Sequence, residues 1–260
     1  MPRPRRMRRL PRQIVPRALE REYARTMLRL VDLAREALGP LLDYLPGLVA
    51  QAGTSRQDAG EGRRVRELIA MARDRMAGAL EQGTMEQIAE RLGKQVSQSN
   101  AVQLARQIKA GLGADVYQSD RGIAALIDGF ASENVALIKN VPAKLIDDIE
   151  QATTRGLASG TPHPALAKEL EERFGFARNR AKLIARDQVG KLYGQVNAQR
   201  QKQIGITRFI WRTSNDERVR PEHEEREGET YSYDDPPDGE IPGQGINCRC
   251  VSEPLLDDIA

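Results

Sequence analysis

"ARNRAKLIARDQVGKLYGQVNAQRQKQIGITRFIWRT", residues 177–213, is where the chain changes its grammar. Up to Gly205 the stretch is basic, free of proline and helical in pattern, so it predicts a long helix over 177–205 that stops at the glycine. Beyond Gly205, residues 206–213 alternate and carry the only tryptophan, Trp211, which predicts a strand. Upstream of this switch almost everything reads as helix. Downstream, residues 214–250 are dense in Pro, Gly and acids, with room for short strands at most. The predicted fold is therefore mainly α: an elongated helical body followed by a small, loop-rich α+β module at the C-terminus.

Working upstream, Leu19, Tyr23, Met27, Leu30, Ala34, Leu38 and Leu41 recur at three- and four-residue steps from Pro16 onward, one apolar stripe of a helix. Gly39-Pro40 and Leu45-Pro46-Gly47 mark a kink or stop. "AGTSRQDAGEG" (52–62) reads as a linker. Helical patterns resume over 63–81 and 84–111, the second with Thr84 as cap and Gln87 at the box position. Residues 119–160 predict two helices or one bent helix, capped at Ser119 or Asp120, ended by Gly156 and Gly160, with a break or a new first turn at Pro142. A short helix is expected from Pro164 to Phe174. The expected division is a basic arm (1–15), a helical body (16–176) and a C-terminal domain (177–260) made of the long helix and the small β/loop module.

Hydrophobic residues make up 40%, charged residues 30% and aromatic residues 4% of the 260, a profile that suits amphipathic helices better than a β-sandwich. No apolar run approaches the length needed to cross a bilayer, so no membrane partner is expected. "MPRPRRMRRLPR" has no apolar stretch after its arginines and is not a secretory signal. The net charge of +3 hides a gradient: +6 over residues 1–12, −10 over 213–260, and +7 between them. That asymmetry points to a phosphate-bearing partner at one pole, with Arg3, Arg5, Arg6, Arg8, Arg9 and Arg12 as the candidate nucleic-acid contacts. A merely solvated tail is the alternative.

Both cysteines, Cys248 and Cys250, lie one residue apart near the end of the acidic module. A disulfide across one residue is strained. The usual redox dithiol has two intervening residues. With Asp216 and His223 they form a mixed S/N/O set that tetrahedral zinc accepts, in a module with too little apolar surface to fold without a staple or a supporting domain. The alternative has the cysteines packed on Trp211 and the histidine hydrogen-bonded to an acid. His163, between prolines, is assigned a turn role. No H-E-x-x-H, G-x-S-x-G or P-loop is present. Glu224, Glu225 and Glu227 could serve a metal hydrolase as base, but an acid run is ordinarily a solvated face, so no enzymatic activity is expected.

W-x-T at Trp211 and Thr213, D-x-R-V-R from Asp216 to Arg220, His223, Pro242-Gly243 and N-C-R-C-x-x-x-P from Asn247 to Pro254 occur in that order. Together they resemble the C-terminal domain of the phage Mu protein F-like family, the minor head (head morphogenesis) proteins of tailed bacteriophages. "NRAKLIARDQVGKLYGQVN", "REYARTMLRLV" and "SENVALIKNVP" are similar to the helical parts of the same proteins. Where the family has Asp-Gly four residues after the histidine, this chain has Glu227-Gly228. The resemblance implies a virion component of low copy number inside the head, assembled in the host cytoplasm. It also implies portal protein and major capsid or scaffold protein as partners, and a metal-binding role for the His and Cys residues. The resemblance also implies that some relatives carry this domain joined to toxin domains; a chain closing at Ala260 is expected to have no room for one. The expected function is a minor head morphogenesis protein that binds portal and capsid interior, and double-stranded DNA, during assembly, packaging or ejection. The alternative is a metal-dependent hydrolase or nuclease using the C-terminal residues.

Overall fold

The computed structural model describes residues 10–49, 58–115 and 120–259. Within them lie seven α-helices: α1 (Arg17–Ala37), α2 (Gly39–Val49), α3 (Asp58–Ala79), α4 (Gln82–Leu112), α5 (Ile123–Ala158), α6 (His163–Gln203) and α7 (Pro221–Glu225). A three-stranded antiparallel sheet, β1 (Arg208–Arg212), β2 (Thr230–Ser232) and β3 (Val251–Pro254), is ordered β2-β1-β3. The mainly α class with a small α+β module at the C-terminus is what the switch at Gly205 predicts.

Several helices run further than the sequence suggests: α2 continues through Pro46, α3 starts early, and in α5 and α6 an apolar stripe continues through a residue that would otherwise break the helix. α3 starts at Asp58, inside the expected linker, and accepts Gly60 and Gly62 ahead of buried Val65, Leu68, Ile69, Ala72 and Met76. Residues 50–57 of that linker, and Ser119, lie outside the described residues. α5 passes unbroken through Pro142. The proline gives up one helical hydrogen bond, but Ile138, Val141, Leu145, Ile146 and Ile149 are buried on either side of it. α6 joins the two helices expected at 164–174 and 177–205, since Leu166, Leu170, Phe174, Ala177, Ala181 and Ala185 form one buried row across Gly175. The boundary expected between 176 and 177 thus falls inside a helix. α4 begins at Gln82, so Thr84 sits in its first turn and is not its cap.

The helix stops are sharper. Gly160 (φ +64) follows α5, and the Thr161 amide reaches the Gly156 carbonyl (2.8 Å) while the Gly160 amide reaches Leu157 (3.2 Å). Gly205 (φ +88) does the same after α6, with Ile206 N–H to Gln201 O and Gly205 N–H to Lys202 O, both 3.0 Å. Both are Schellman caps, which need a left-handed residue at the first position outside the helix. Gly156 acts through its missing side chain instead. A Cβ there would lie 2.9 Å from Leu166 Cδ1, so the glycine lets α5 and α6 pack closely.

The chain divides into two compact units. One comprises Glu22–Ile88 and Glu133–Ala185. It buries Tyr23, whose hydroxyl donates to Asn134 Oδ1 (2.8 Å), and carries ion pairs from Arg35 to Glu171 and from Arg73 to Asp147 and Glu150. The other comprises residues up to Arg21, Ala89–Ser132 and Arg186–Ala260. Its core is Ile206, Phe209, Trp211, Tyr233, Cys248 and Cys250 against Ala198 of α6. A buried polar relay fixes the sheet to the helices: Asn100 Nδ2 donates to Asn197 Oδ1 (2.9 Å), and Asn197 and Gln201 both donate to the Ser252 carbonyl (2.8 and 2.9 Å). Tyr233 donates to Gln201 Oε1 (2.9 Å). Residues 10–15, the inner part of the expected arm, are pinned to α4: Gln107 donates to the Pro11 carbonyl, and Gln103 pairs with both backbone groups of Ile14.

Candidate metal centre

β1 carries Trp211 into the core, and the chain then leaves the sheet through a turn that Asp216 stabilises by accepting the Arg218 amide (3.1 Å). Pro221 opens the one-turn helix α7, where a missing amide is tolerated, and two residues later His223 is buried. The cysteine loop reaches the same place from the other side. Asn247 adopts a left-handed conformation (φ +56), and its amide donates to Asp187 Oδ1 of α6 (2.8 Å). Cys248 and Cys250 follow, both buried and both free thiols.

Close approach to α6 makes this possible. A Cβ on Gly194 would lie 2.4 Å from the Pro242 carbonyl oxygen, and one on Gly190 2.9 Å from that of Cys248. Both obstacles are backbone and neither can move aside like a flexible side chain. Gly190 and Gly194, one helical turn apart, are the bed on which the Pro-Gly loop and the cysteine loop rest.

His223 Nδ1 lies 3.6 Å from Cys248 Sγ and 3.5 Å from Cys250 Sγ. Zinc–sulfur and zinc–nitrogen bonds of about 2.3 and 2.0–2.1 Å at a tetrahedral angle put S and N about 3.5–3.6 Å apart. A neutral ring nitrogen has one hydrogen or one lone pair, so near-equal distances to two sulfurs suit a shared ion better than one hydrogen bond. The ligand atoms of these three residues lie within 4.8 Å of one another. The donor set is right for a soft or borderline cation such as zinc. His223, Cys248 and Cys250 are the residues that would hold it.

The thiols behave as one coupled pair. Cys248 is pulled down to about 6, chiefly by the hydrogen bond from the Cys250 thiol, with backbone hydrogen bonds and His223 adding to it against burial. Cys250 is pushed up, because it supplies that proton and because a second buried thiolate would sit beside the first. The Trp211 indole N–H, buried without an oxygen or nitrogen acceptor, favours the Cys250 thiolate. Two thiolates at this spot need a cation, and a divalent ion supplies one.

The site opens on a cavity of about 280 Å³. Arg186 of α6, Arg218, Arg220 and Arg249 contribute to its walls, with Asp216 as the one acid. Arg249 pairs with Glu20 (2.9 Å) and more distantly with Asp216 (3.9 Å). Arg186 has its pKa lowered, by burial first and then by the charges of Arg249 and Arg218.

Three of the four expected metal residues are therefore brought together. Asp216 borders the same cavity but stays outside the cluster, engaged with the Arg218 amide and Arg249. Glu227 is placed elsewhere too: its carboxylate accepts the Thr213 amide (2.5 Å) and pairs with Arg212 (3.4 Å), closing the end of β1. A longer side chain than the family's Asp thus serves the strand and not the metal. Glu224 and Glu225 are exposed on α7. The alternative of cysteines packed in the core also holds in part, since both lie with Trp211, whose ring meets His223 edge-on at 5.1 Å. Of the arginines expected to meet nucleic acid, Arg3, Arg5, Arg6, Arg8 and Arg9 lie outside the described residues. Arg12 donates to the Thr213 carbonyl (2.5 Å). Sequence reading missed Gly190, Gly194 and Arg186; the glycine pair at four-residue spacing in an otherwise strong helix was the available signal.

Comparison with known proteins agrees with the resemblance over the C-terminal half. Residues 147–253 match the family described as Phage Mu protein F like protein, a span that contains the whole His/Cys/Cys cluster. An uncharacterized protein of Haemophilus influenzae is 30% identical over 177 residues, covering 66% of this chain and 40% of that protein. The chain thus matches well under half the length of that curated relative. No solved structure matches. No helix among the described residues is long and apolar enough to cross a membrane.

Proposed function

We propose that the chain is a minor head morphogenesis protein of a tailed bacteriophage, non-enzymatic, acting in the head interior. The observation that carries this reading is the Mu F-like match over 147–253, with its His and Cys positions converging in space. The C-terminal module has two roles. It holds a divalent cation through His223, Cys248 and Cys250, which cross-links α7 to the loop before β3 across the acidic segment between them. It also presents the rest of the chain, rich in long helices, to portal protein and to capsid or scaffold. The basic residues 1–12 contact double-stranded DNA through phosphates.

The test is recovery of the protein with portal protein from infected cells. Co-purification, and heads of reduced infectivity when the gene is deleted, are the expected results. Normal portal incorporation and normal infectivity without the protein contradict the reading.

One observation favours a second reading, a metal-dependent hydrolase or nuclease: three protein donors facing a cavity is the pattern of catalytic zinc, which keeps a position open. Metal-loaded protein that cleaves DNA or a phosphodiester, with activity lost in His223→Ala, would establish it in place of the structural role.

A further inference from the structure

The acidic module turns a basic face inward. Residues 213–260 contain fourteen acids and four arginines. A cavity formed at random in such a segment would be walled by carboxylates. Instead three of those four arginines, Arg218, Arg220 and Arg249, border it together with Arg186 from α6, and of the fourteen acids only Asp216 does. Arg186 and Arg218 make no ion pair among the described residues, although Arg212, Arg226 and Arg249 of the same unit each have a carboxylate. Arg249 spends its ion pair on Glu20 and still has a buried Nε–H with no acceptor. Arg220 donates to the Ile246 carbonyl, which holds it at the rim.

Like charges gathered at a half-buried site, with donors left over, cost free energy unless an anion completes them. Guanidinium groups match phosphate oxygens in geometry and number of donors. We propose that this cavity is a binding site for a compact phosphate group, inorganic phosphate or the terminal phosphate of a mononucleotide, held by Arg186, Arg218 and Arg249. The acids on the outside of the module set the selectivity: a duplex presents many phosphates at once and meets the −10 surface, whereas one small anion enters the cavity past it. The site stands on the arginines and does not require a metal in the neighbouring cluster.

Calorimetric titration of the full-length protein tests this, with inorganic phosphate in one arm and adenosine monophosphate in the other, each on chelator-treated and on zinc-loaded protein. Saturable binding of one anion per chain in the chelator-treated protein is expected in at least one arm, and which arm binds tighter identifies the source. Arg186→Gln should weaken it by at least about tenfold. Arg218→Gln, on an exposed side chain, should weaken it as well and guards against a folding defect in the first variant. Absence of saturable binding at millimolar concentrations of both anions overturns the proposal, as does unchanged affinity in both variants. Because the chelated arm excludes the metal, a failure of the metal reading leaves this result standing, and a failure here leaves the metal reading untouched.

Discussion

Single residues settle what the donor set can be. Nδ1 of His223 faces both sulfurs at 3.5–3.6 Å, and Asp216 is committed to a turn and to Arg249. Glu227 separates a strand-closing role from a ligand role. Glu227→Ala removes the acceptor of the Thr213 amide and the partner of Arg212, so it should destabilise the module by about 1–3 kcal/mol while leaving metal content unchanged. Denaturant melts paired with metal analysis check both halves. What the sequence displayed here was residue type. Cys248, Cys250 and His223 were legible because few residues of those kinds exist in the chain, but Asp216 could not be told from thirteen other acids in the module by type alone. Spacing along an irregular loop carries no distance information, and only the fold supplies it.

Among the helices and loops, glycine does most of the positioning, in two different ways. Gly160 and Gly205 stop helices because their φ is positive, and both were readable as stops. Gly190 and Gly194 lie inside α6 and act by having no side chain, which only the partner backbone reveals. Gly194→Ala should therefore lift the Pro242 loop, cost about 1–3 kcal/mol despite the better helix propensity of alanine, and lower metal affinity by loosening the cysteine loop. Chemical melts and metal titration of the variant measure it; a more stable variant with intact affinity would contradict the packing role. For α5 the sequence left one helix or two open, and the continuity of α6 was not legible, because Pro142 and Gly175 are local signals and the buried rows that override them are tertiary. In the unit formed by 22–88 and 133–185, Arg35 holds Glu171 below its ordinary value, mainly by hydrogen bonding. A carboxylate lowered on folding stabilises above its unfolded value and loses that contribution as pH falls through the folded one. Stability should fall in acid by an amount that Glu171→Gln reduces, by under about 1 kcal/mol because the pair is exposed.

Over the full chain the charge gradient assigns different work to the two ends of the sequence. Residues 1–12 carry +6, yet residues 10–15 are already anchored along α4, and Arg12 is engaged by the Thr213 carbonyl. If the proposed DNA contact holds, deleting residues 1–9 should weaken DNA binding and flatten its salt dependence, and extending the deletion to residue 15 should destabilise the fold by removing the contacts to α4, as salt titrations and melts would show. At the acidic end His223, Cys248 and Cys250 form the group that could hold a cation, and a bound divalent ion would let both buried thiols ionise. The proposed staple depends on His223, Cys248 and Cys250 holding one cation and so joining the two segments. The decisive experiment is the metal content of the purified full-length protein, measured beside its melting curve with and without chelator. About one zinc per chain is expected, with a lower melting temperature after chelation, loss of both in His223→Ala and Cys248→Ser, and retention of both in Asp216→Ala. Protein that carries no metal, and melts identically with and without chelator, contradicts the staple.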